Sequence, residues 1–370
     1  MDARVEANGL EDVVAATTRL SDVDGEQGRL VLAGYPVEDV AGKIAFEDAF
    51  FLLFRGTLPT PAQRTSLRDA LGEAREAAFD RLGELGDALA LPDAMDALRA
   101  SSAHLGARAG EEPLAEAVRI VGAIAVFAAA WAGPDAPLVR PDPRLGHAAD
   151  YLRMIAGHDA SPADVAALDA YLVTVIDHGM NASTFTARVV ASTASDTVSA
   201  VVAAIGALKG KLHGGAPGPV LDMLDAIGEP DAARAWVSAA LARGERIMGM
   251  GHRVYRVRDP RAFVLERAIA ELERASEKTS PIGQRLRLAR AVEAEAETQL
   301  AARHPDRPLK ANVEFYTAVL LEAVGLPRTL FTPTFAASRA AGWCAHVEEQ
   351  RRHGRLIRPK SRYVAAAPAA

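Results

Sequence analysis

The stretch MGMGHRVYRVRDPR, residues 248–261, combines several residue types that can take part in catalysis. Its two glycines lead into His252, so the backbone can adopt a positive φ or approach a ligand closely, and the imidazole is presented from a loop. Asp259 and Pro260 predict a helix start, because aspartate is a good N-cap and proline is tolerated at the first helical position. Arg261 follows in the first turn, where a guanidinium beside free N–H groups can bind a carboxylate or phosphate. A solvent-exposed arginine explains this stretch alone equally well.

Two further histidines are placed near predicted helix ends. Ser161-Pro162 predicts a helix that continues to about Gly179, which puts His178 at its C-terminus and favours the charged imidazole. A histidine that merely complements the helix dipole fits this position too. His213 follows an apolar helix capped by Ser195 or Asp196 and lies in the loop LHGGAPGP, where its imidazole is accessible.

Glu314 and Arg339 complete the set of charged candidates. Asn312 predicts a helix cap with Glu314 in the first turn, a place where carboxylates are favourable without any catalytic role. Phe335, Arg339 and Trp343 are spaced by four, so Arg339 shares a helix face with apolar residues. A buried arginine needs an anionic partner, and no Asp or Glu stands one turn away, which favours a ligand as that partner.

Three familiar kinds of site are disfavoured. The glycines before His252 lack the third glycine and the βαβ context of a dinucleotide-binding loop. The three histidines match no compact zinc motif, and no HExxH is present; GxSxG is absent too. Three histidines, one carboxylate and several arginines fit proton abstraction next to a carbonyl on a polyanionic substrate.

Composition bounds the class of protein. The 370 residues suggest about two domains, and a net charge of −6 gives no general attraction to nucleic acid or anionic membranes. The single cysteine, Cys344, excludes an intramolecular disulfide and fits a reducing cytoplasm. The acidic N-terminus has no apolar segment typical of a signal peptide, and the apolar run 120–133 is shorter than the ~20 residues that span a bilayer. We therefore expect a cytoplasmic protein.

The chain predicts helices almost throughout. Residues 17–38 contain a turn at Asp24-Gly25 and a short β-like run, which predict a small hairpin. From about Val37 onward Ala, Leu, Glu and Arg dominate, and Pro and Gly punctuate the segments. The last long helix is predicted from about Thr334 to Arg352. The expected fold class is all-α with a possible N-terminal hairpin.

Five long segments carry a family resemblance: DHGMNASTFTARVVAST, GALKGKLHGGAPGPVLDML, MGMGHRVYRVRDPRA, NVEFYTAVLLEAVGLP and FTPTFAASRAAGWCAHVEEQ with the following LIRPKSRYV, which contains Arg358. In this order they resemble the signature blocks of the citrate synthase family, which includes 2-methylcitrate synthase. The N-terminal segment TTRLSDVDGEQGRLVLAGYPVEDVA is similar to the opening block of that family. The resemblance covers nearly the whole chain and is weakest between about Arg64 and Asp150.

The resemblance implies an all-α fold with a large domain, residues 1–213 and 316–370, and a small domain, residues 214–315. It implies at least a homodimer that binds oxaloacetate and acetyl-CoA, with no cofactor because acetyl-CoA is a substrate, and no nucleic-acid or membrane partner. The family reaction condenses the two substrates and hydrolyses citryl-CoA to citrate and CoA. Closure of the two domains is expected to exclude water from the substrates.

The matching motif positions imply a role for each candidate residue. His213, His252 and Glu314 would be catalytic: His213 donates to the thioester oxygen, His252 polarises the oxaloacetate carbonyl, and Glu314 removes the methyl proton. The oxaloacetate carboxylates would be held by His178, Arg261, Arg339 and, from the second subunit, Arg358. Arg256 would contact a CoA phosphate, and Met250 and Gly251 would also bind CoA. No metal ligand is implied.

Three departures from the family pattern matter. Glu314 replaces the aspartate of NVDFY, and its extra methylene matters more than the difference of about 0.4 unit between the free pKa values, since a displacement of ~1 Å can cost on the order of 10²-fold in rate. Asp93 stands where bacterial relatives often have histidine, and an AGPDAP loop follows Trp131 in place of a more basic one. The alternatives are 2-methylcitrate synthase, which uses propionyl-CoA, and a non-catalytic paralogue that binds CoA or a protein.

Overall fold

The computed structural model describes residues 9–10, 13–132, 138–214, 217–252, 254–276, 281–306, 309–361 and 363. The loop 133–137, Gly215 and Arg362 lie outside this part. The helices of the described part are α1 Val37–Val40, α2 Phe46–Arg55, α3 Pro61–Asp80, α4 Ala94–Ala103, α5 Pro113–Ala132, α6 His147–Ala156, α7 Pro162–Val175, α8 Ala182–Ala191, α9 Thr197–Leu208, α10 Pro217–Ile227, α11 Ala233–Ala242, α12 Pro260–Ala275, α13 Pro281–Arg303, α14 Val313–Ala323 and α15 Phe331–His353. Short 3₁₀ turns lie at Leu82–Glu84, Ala88–Ala90, Pro230–Ala232 and Arg328–Leu330. The predicted all-α class is confirmed.

The predicted N-terminal hairpin is confirmed. Strand β1, Ser21–Asp24, pairs antiparallel with β2, Arg29–Leu32, and the two-residue strand β3, Tyr35–Pro36, extends the sheet. In the turn between β1 and β2, the Asp24 side chain accepts hydrogen bonds from the backbone N–H groups of Glu26 and Gln27. An aspartate at this position favours a tight turn because its carboxylate takes over backbone donors.

Most predicted helix starts are confirmed because their signals are local. The side chains of Ser161, Asp196, Asp259 and Asn312 each accept a hydrogen bond from a backbone N–H in the first turn of α7, α9, α12 and α14. These bonds satisfy donors that have no partner within the helix. The last helix begins at Phe331, slightly before the predicted Thr334.

The predicted end of α7 is wrong. The helix stops at Val175, so Gly179 is not its C-terminal cap and His178 lies in the loop 176–181. The N–H of Gly179 donates to the Ser21 hydroxyl at 2.8 Å and not to a helix carbonyl. A contact with the distant hairpin thus ends the helical path earlier than its apolar spacing indicates.

Helix α5 is longer than the apolar run in the sequence indicated. It spans 20 residues and, by length and composition alone, is long and apolar enough to cross a membrane. However, 67% of its most apolar part is buried inside the molecule. It packs against α3, α4, α6 and α15. This burial is that of a core helix.

Residues 214–315 form several helices that pack on one another. Helix α13 contacts α11 and α12, and α14 contacts α10 and α12. Helix α12 also packs on α7, which belongs to the predicted large domain. The division into a large and a small domain stays a prediction.

Candidate active site

The loop that carries His252 is joined to the start of α14. The N–H of Gly251 donates to the Lys310 carbonyl at 2.7 Å, and the N–H of Asn312 donates to the Gly249 carbonyl at 2.9 Å. Gly249 has φ +74°, and a Cβ there would lie 2.8 Å from the Phe315 Cβ, so only glycine fits. The expected positive φ at both glycines is confirmed, and His252 is held beside the helix that bears Glu314.

Backbone donors fix the tautomer of His252. Its Nδ1 lies 3.0 Å from the Val254 nitrogen and 3.1 Å from the Tyr255 nitrogen. Because a backbone N–H can only donate, Nδ1 is the acceptor and the proton of the neutral ring is on Nε2. Burial, and then the Arg261 charge, lower the pKa of His252 to about 4. His252 is therefore a neutral hydrogen-bond donor near pH 7.

Arg261 is buried, so the alternative of a solvent-exposed arginine is wrong. Only 3% of its surface is exposed, and its Nη2 pairs with Asp259 Oδ2 at 2.7 Å. The same carboxylate oxygen accepts from the N–H of Val313 at 3.2 Å. Asp259 thus holds the guanidinium and the start of α14 together.

His178 lies across from His252, with ring centroids 5.8 Å apart. Its Nε2 is 3.1 Å from the hydroxyl oxygen of Tyr255. Burial, and then the charges of Arg261 and Arg339, lower the pKa of His178 well below its ordinary value. The expected charged form is therefore wrong: the helix C-terminus that would have favoured it ends at Val175, and the neighbouring charges are cationic.

Arg339 is buried on α15 with part of its guanidinium unpaired. Its Nε donates to the Val175 carbonyl at 2.6 Å, while Nη2 is buried and finds no hydrogen-bond partner in the described part of the chain. Burial lowers its pKa to about 10, although the charge of Asp177 opposes this. Asp177 lies in a loop that is distant from Arg339 in sequence, so the absence of an acidic residue one helical turn from Arg339 did not reveal it. An unpaired buried N–H costs free energy that an anionic ligand would recover.

His213 lies close to Phe335 and Arg339 of α15. Its Nε2 is 2.8 Å from the Ser183 hydroxyl oxygen and 3.4 Å from the Ser183 nitrogen. Its ring centroid is 6.3 Å from that of Phe335, over which the Arg339 guanidinium stacks at 4.7 Å. Burial and then the Arg339 charge lower the pKa of His213 to about 4, so the ring is neutral near pH 7.

Glu314 stands near the start of α14, as predicted. Its N–H donates to the Asn312 side chain at 3.0 Å. Burial raises the pKa of Glu314 to about 7; the nearby Arg261 opposes the shift and Asp259 adds to it. A carboxyl group with a pKa near neutrality is suited to general base catalysis.

Two candidates, Arg358 and Arg256, lie outside this cluster. Arg358 is exposed beyond α15, and no ion pair or hydrogen bond joins its side chain to the described residues. Arg256 donates its N–H to the Gly25 carbonyl at 2.9 Å, and its half-exposed side chain is 3.9 Å from Glu26. Met250 and Gly251 lie in the loop before His252. Asp93, the departure noted above, caps α4 and lies 3.3 Å from Lys209.

Two tyrosines at the site were missed by sequence reasoning. Tyr255 is 2% exposed and contacts both His178 and His252. Tyr171 on α7 is 1% exposed; burial raises its pKa, and the charges that act on it include those of Arg339 and Glu314. Neither had a sequence signal of its own, because a tyrosine in an apolar helix or loop is ordinary core composition.

A cavity of about 570 Å³ in the described part lies elsewhere. It is lined by residues of α3, α5 and the segments beside them, which include alanines and leucines but also four glutamates and three arginines. The described residues contain no cluster of His, Cys, Asp and Glu that could hold a metal ion. The chemistry of this chain is concentrated in the histidine, arginine and glutamate cluster.

Comparisons with known proteins point to one family. A family model described as citrate synthase, C-terminal domain, matches residues 9–360. Citrate synthase of Haloferax volcanii is 38% identical over 96% of this chain and 94% of its own. A 2-methylcitrate synthase of Mycobacterium tuberculosis is 39% identical over 96% of this chain and 89% of its own. The ternary complex of Thermoplasma acidophilum citrate synthase with carboxymethyl coenzyme A and oxaloacetate superposes with a TM-score of 0.85, at 29% identity, over 98% of this chain and 97% of that one.

The fold and these matches define a condensing enzyme of the acyltransferase type. The chain belongs to the citrate synthase family, as its motifs predicted.

Proposed function

We propose that this protein is a citrate synthase, which condenses acetyl-CoA with oxaloacetate and hydrolyses the resulting citryl-CoA to citrate and CoA. The observation that carries the proposal is the buried pocket of hydrogen-bond donors beside a carboxyl group whose pKa is about 7. Two guanidinium groups and neutral imidazoles match an oxo-dicarboxylate, which has only acceptors.

The geometry supports roles for His178, His252, Arg261 and Arg339 at the oxaloacetate end. Nη2 of Arg261 lies 3.4 Å from Nε2 of His252, and both atoms are donors. A carbonyl oxygen near both would accept from His252, while Arg261, Arg339 and His178 bind the carboxylates. Arg358 of a second subunit supplies the remaining cation, so the working unit is at least a homodimer.

Glu314 and His213 act on acetyl-CoA. Glu314 takes a methyl proton, and His213 donates a hydrogen bond to the thioester oxygen. The enolate carbon attacks the oxaloacetate carbonyl carbon, whose oxygen becomes the citryl hydroxyl. Water then cleaves the thioester and releases CoA. Arg256, Met250 and Gly251 bind CoA.

The reaction needs no bound cofactor or metal ion, and a buried single cysteine fits a cytoplasmic enzyme.

The test is CoA release by the purified protein with oxaloacetate, comparing kcat/KM for acetyl-CoA and propionyl-CoA in the presence of EDTA. Preference for acetyl-CoA supports the proposal. Preference for propionyl-CoA would instead make the protein a 2-methylcitrate synthase, like its Mycobacterium tuberculosis relative, and a difference of one methyl group is worth ~1 to 3 kcal/mol. Oxaloacetate binding without turnover of either substrate would indicate a non-catalytic paralogue.

A further inference from the structure

Tyr255 contacts three of the residues proposed to bind oxaloacetate. Its backbone N–H donates to Nδ1 of His252, and its hydroxyl is 3.1 Å from Nε2 of His178. The Arg261 guanidinium lies 5.7 Å from its ring centroid.

The direction of the bond between Tyr255 and His178 follows from proton accounting. The Tyr255 hydroxyl has no other hydrogen-bond partner among the described residues, and the residue is 2% exposed. If His178 donated, the phenol proton would be left unpaired in a buried place, which costs ~1 to 3 kcal/mol. The phenol therefore donates to Nε2, and the proton of the neutral His178 ring is on Nδ1.

We propose that Tyr255 is a positioning and specificity-determining residue: its hydroxyl fixes His178 as a donor from Nδ1, while the backbone N–H groups of Val254 and Tyr255 keep His252 a donor from Nε2. This inference rests on the proposed function, because it concerns the same oxaloacetate pocket. A pocket with donors only favours a ligand with acceptors only. The keto group of oxaloacetate meets this condition, whereas the hydroxyl of malate carries a proton for which these histidines and arginines offer no acceptor.

The first test compares Tyr255→Phe with the wild-type protein. Loss of the hydroxyl is expected to raise the Kd for oxaloacetate about tenfold, since His178 becomes free to change tautomer. For the same reason the Kd for malate, divided by the Kd for oxaloacetate, should become smaller than in the wild-type protein. The KM for acetyl-CoA should stay unchanged. In a His178→Ala background the same substitution should have no further effect on oxaloacetate binding, which separates action through His178 from a general structural role.

Tyr151→Phe is the matched control. It removes another buried phenol, whose hydroxyl lies 2.9 Å from that of Thr334, and should lower thermal stability without changing the Kd for oxaloacetate. The inference is overturned if Tyr255→Phe behaves like this control, or if its effect persists in the His178→Ala background.

¹⁵N NMR of the wild-type protein gives an independent test, because a proton on Nε2 of His178 would overturn the inference whatever the variants do. If the wild-type protein does not bind oxaloacetate, the proposed function itself fails, and the inference fails with it.

Discussion

At the scale of single residues, Glu314 decides how fast the proposed proton transfer can be. It is one methylene longer than the aspartate of the family pattern. The structure accommodates it at the start of α14, where the Asn312 cap and the burial of the carboxyl group hold it beside Arg261. A base with a pKa near the working pH combines a useful ionised fraction with a strong affinity for the proton.

We expect the pH dependence of kcat/KM to follow the ionisation of Glu314. The group acts as a base only when ionised, so activity should fall as the pH drops through about 7, the value to which burial raises its pKa. Glu314→Gln should lower kcat by ~10² to 10⁴-fold. Glu314→Asp should also lower it, because the carboxylate retreats by ~1 Å. Steady-state rates between pH 5 and 9 test this; a large gain in Glu314→Asp, or full activity in Glu314→Gln, would contradict the assignment.

The sequence predicted the helix starts that carry the candidate residues better than the protonation of those residues. Asp259, Asn312 and Glu314 were placed correctly because helix caps depend on neighbours only a few residues away. The charge of His178 was predicted wrongly, since it depends on where α7 ends and on arginines that are distant in sequence. Burial and through-space charge are properties of the folded chain, and apolar spacing alone does not specify them.

At the scale of elements, the N-terminal hairpin connects the two histidine loops. The Ser21 hydroxyl donates to Asp177 at 2.5 Å and accepts from the N–H of Gly179, on either side of His178. At the hairpin tip, the Gly25 carbonyl accepts from the N–H of Arg256 in the loop that follows His252. The hairpin itself was predicted from its turn residues. Its contact with a loop about 230 positions later could not be, because nothing local encodes a long-range pairing.

Gly25→Ala should displace the His252 loop. A Cβ at this position would lie 2.2 Å from the Val254 carbonyl oxygen, so either the hairpin or the loop must move. We expect weaker oxaloacetate binding and a kcat reduced by up to about 10²-fold, the order of effect of a ~1 Å misplacement. Isothermal titration and steady-state kinetics measure both effects.

The control for this prediction is Gly83→Ala, where an added Cβ meets nothing within 4 Å. It should bind oxaloacetate and turn over like the wild-type protein. If Gly25→Ala matched this control in both measurements, contact with the hairpin would not be what positions His252.

At the scale of the whole molecule, the proposed site is incomplete in one chain. Arg358 follows α15 in an extended segment, where the N–H of Ile357 donates to the Ser192 hydroxyl at the end of α8. This bond keeps the segment against the outside of the fold, and the Arg358 side chain is exposed. The motifs implied that this arginine serves another subunit.

Mixed dimers test whether Arg358 acts across the subunit interface. Arg358→Ala and Glu314→Gln homodimers should each be nearly inactive. In a hybrid of the two, one site would carry both substitutions and the other neither, so unfolding, mixing and refolding equal amounts should restore about a quarter of the wild-type kcat, as expected for a two-fold symmetric dimer with shared sites. If Arg358 instead acted within its own chain, every site of the hybrid would carry one substitution, and the mixture would stay inactive. Light scattering of the refolded mixture provides the control that dimers have formed.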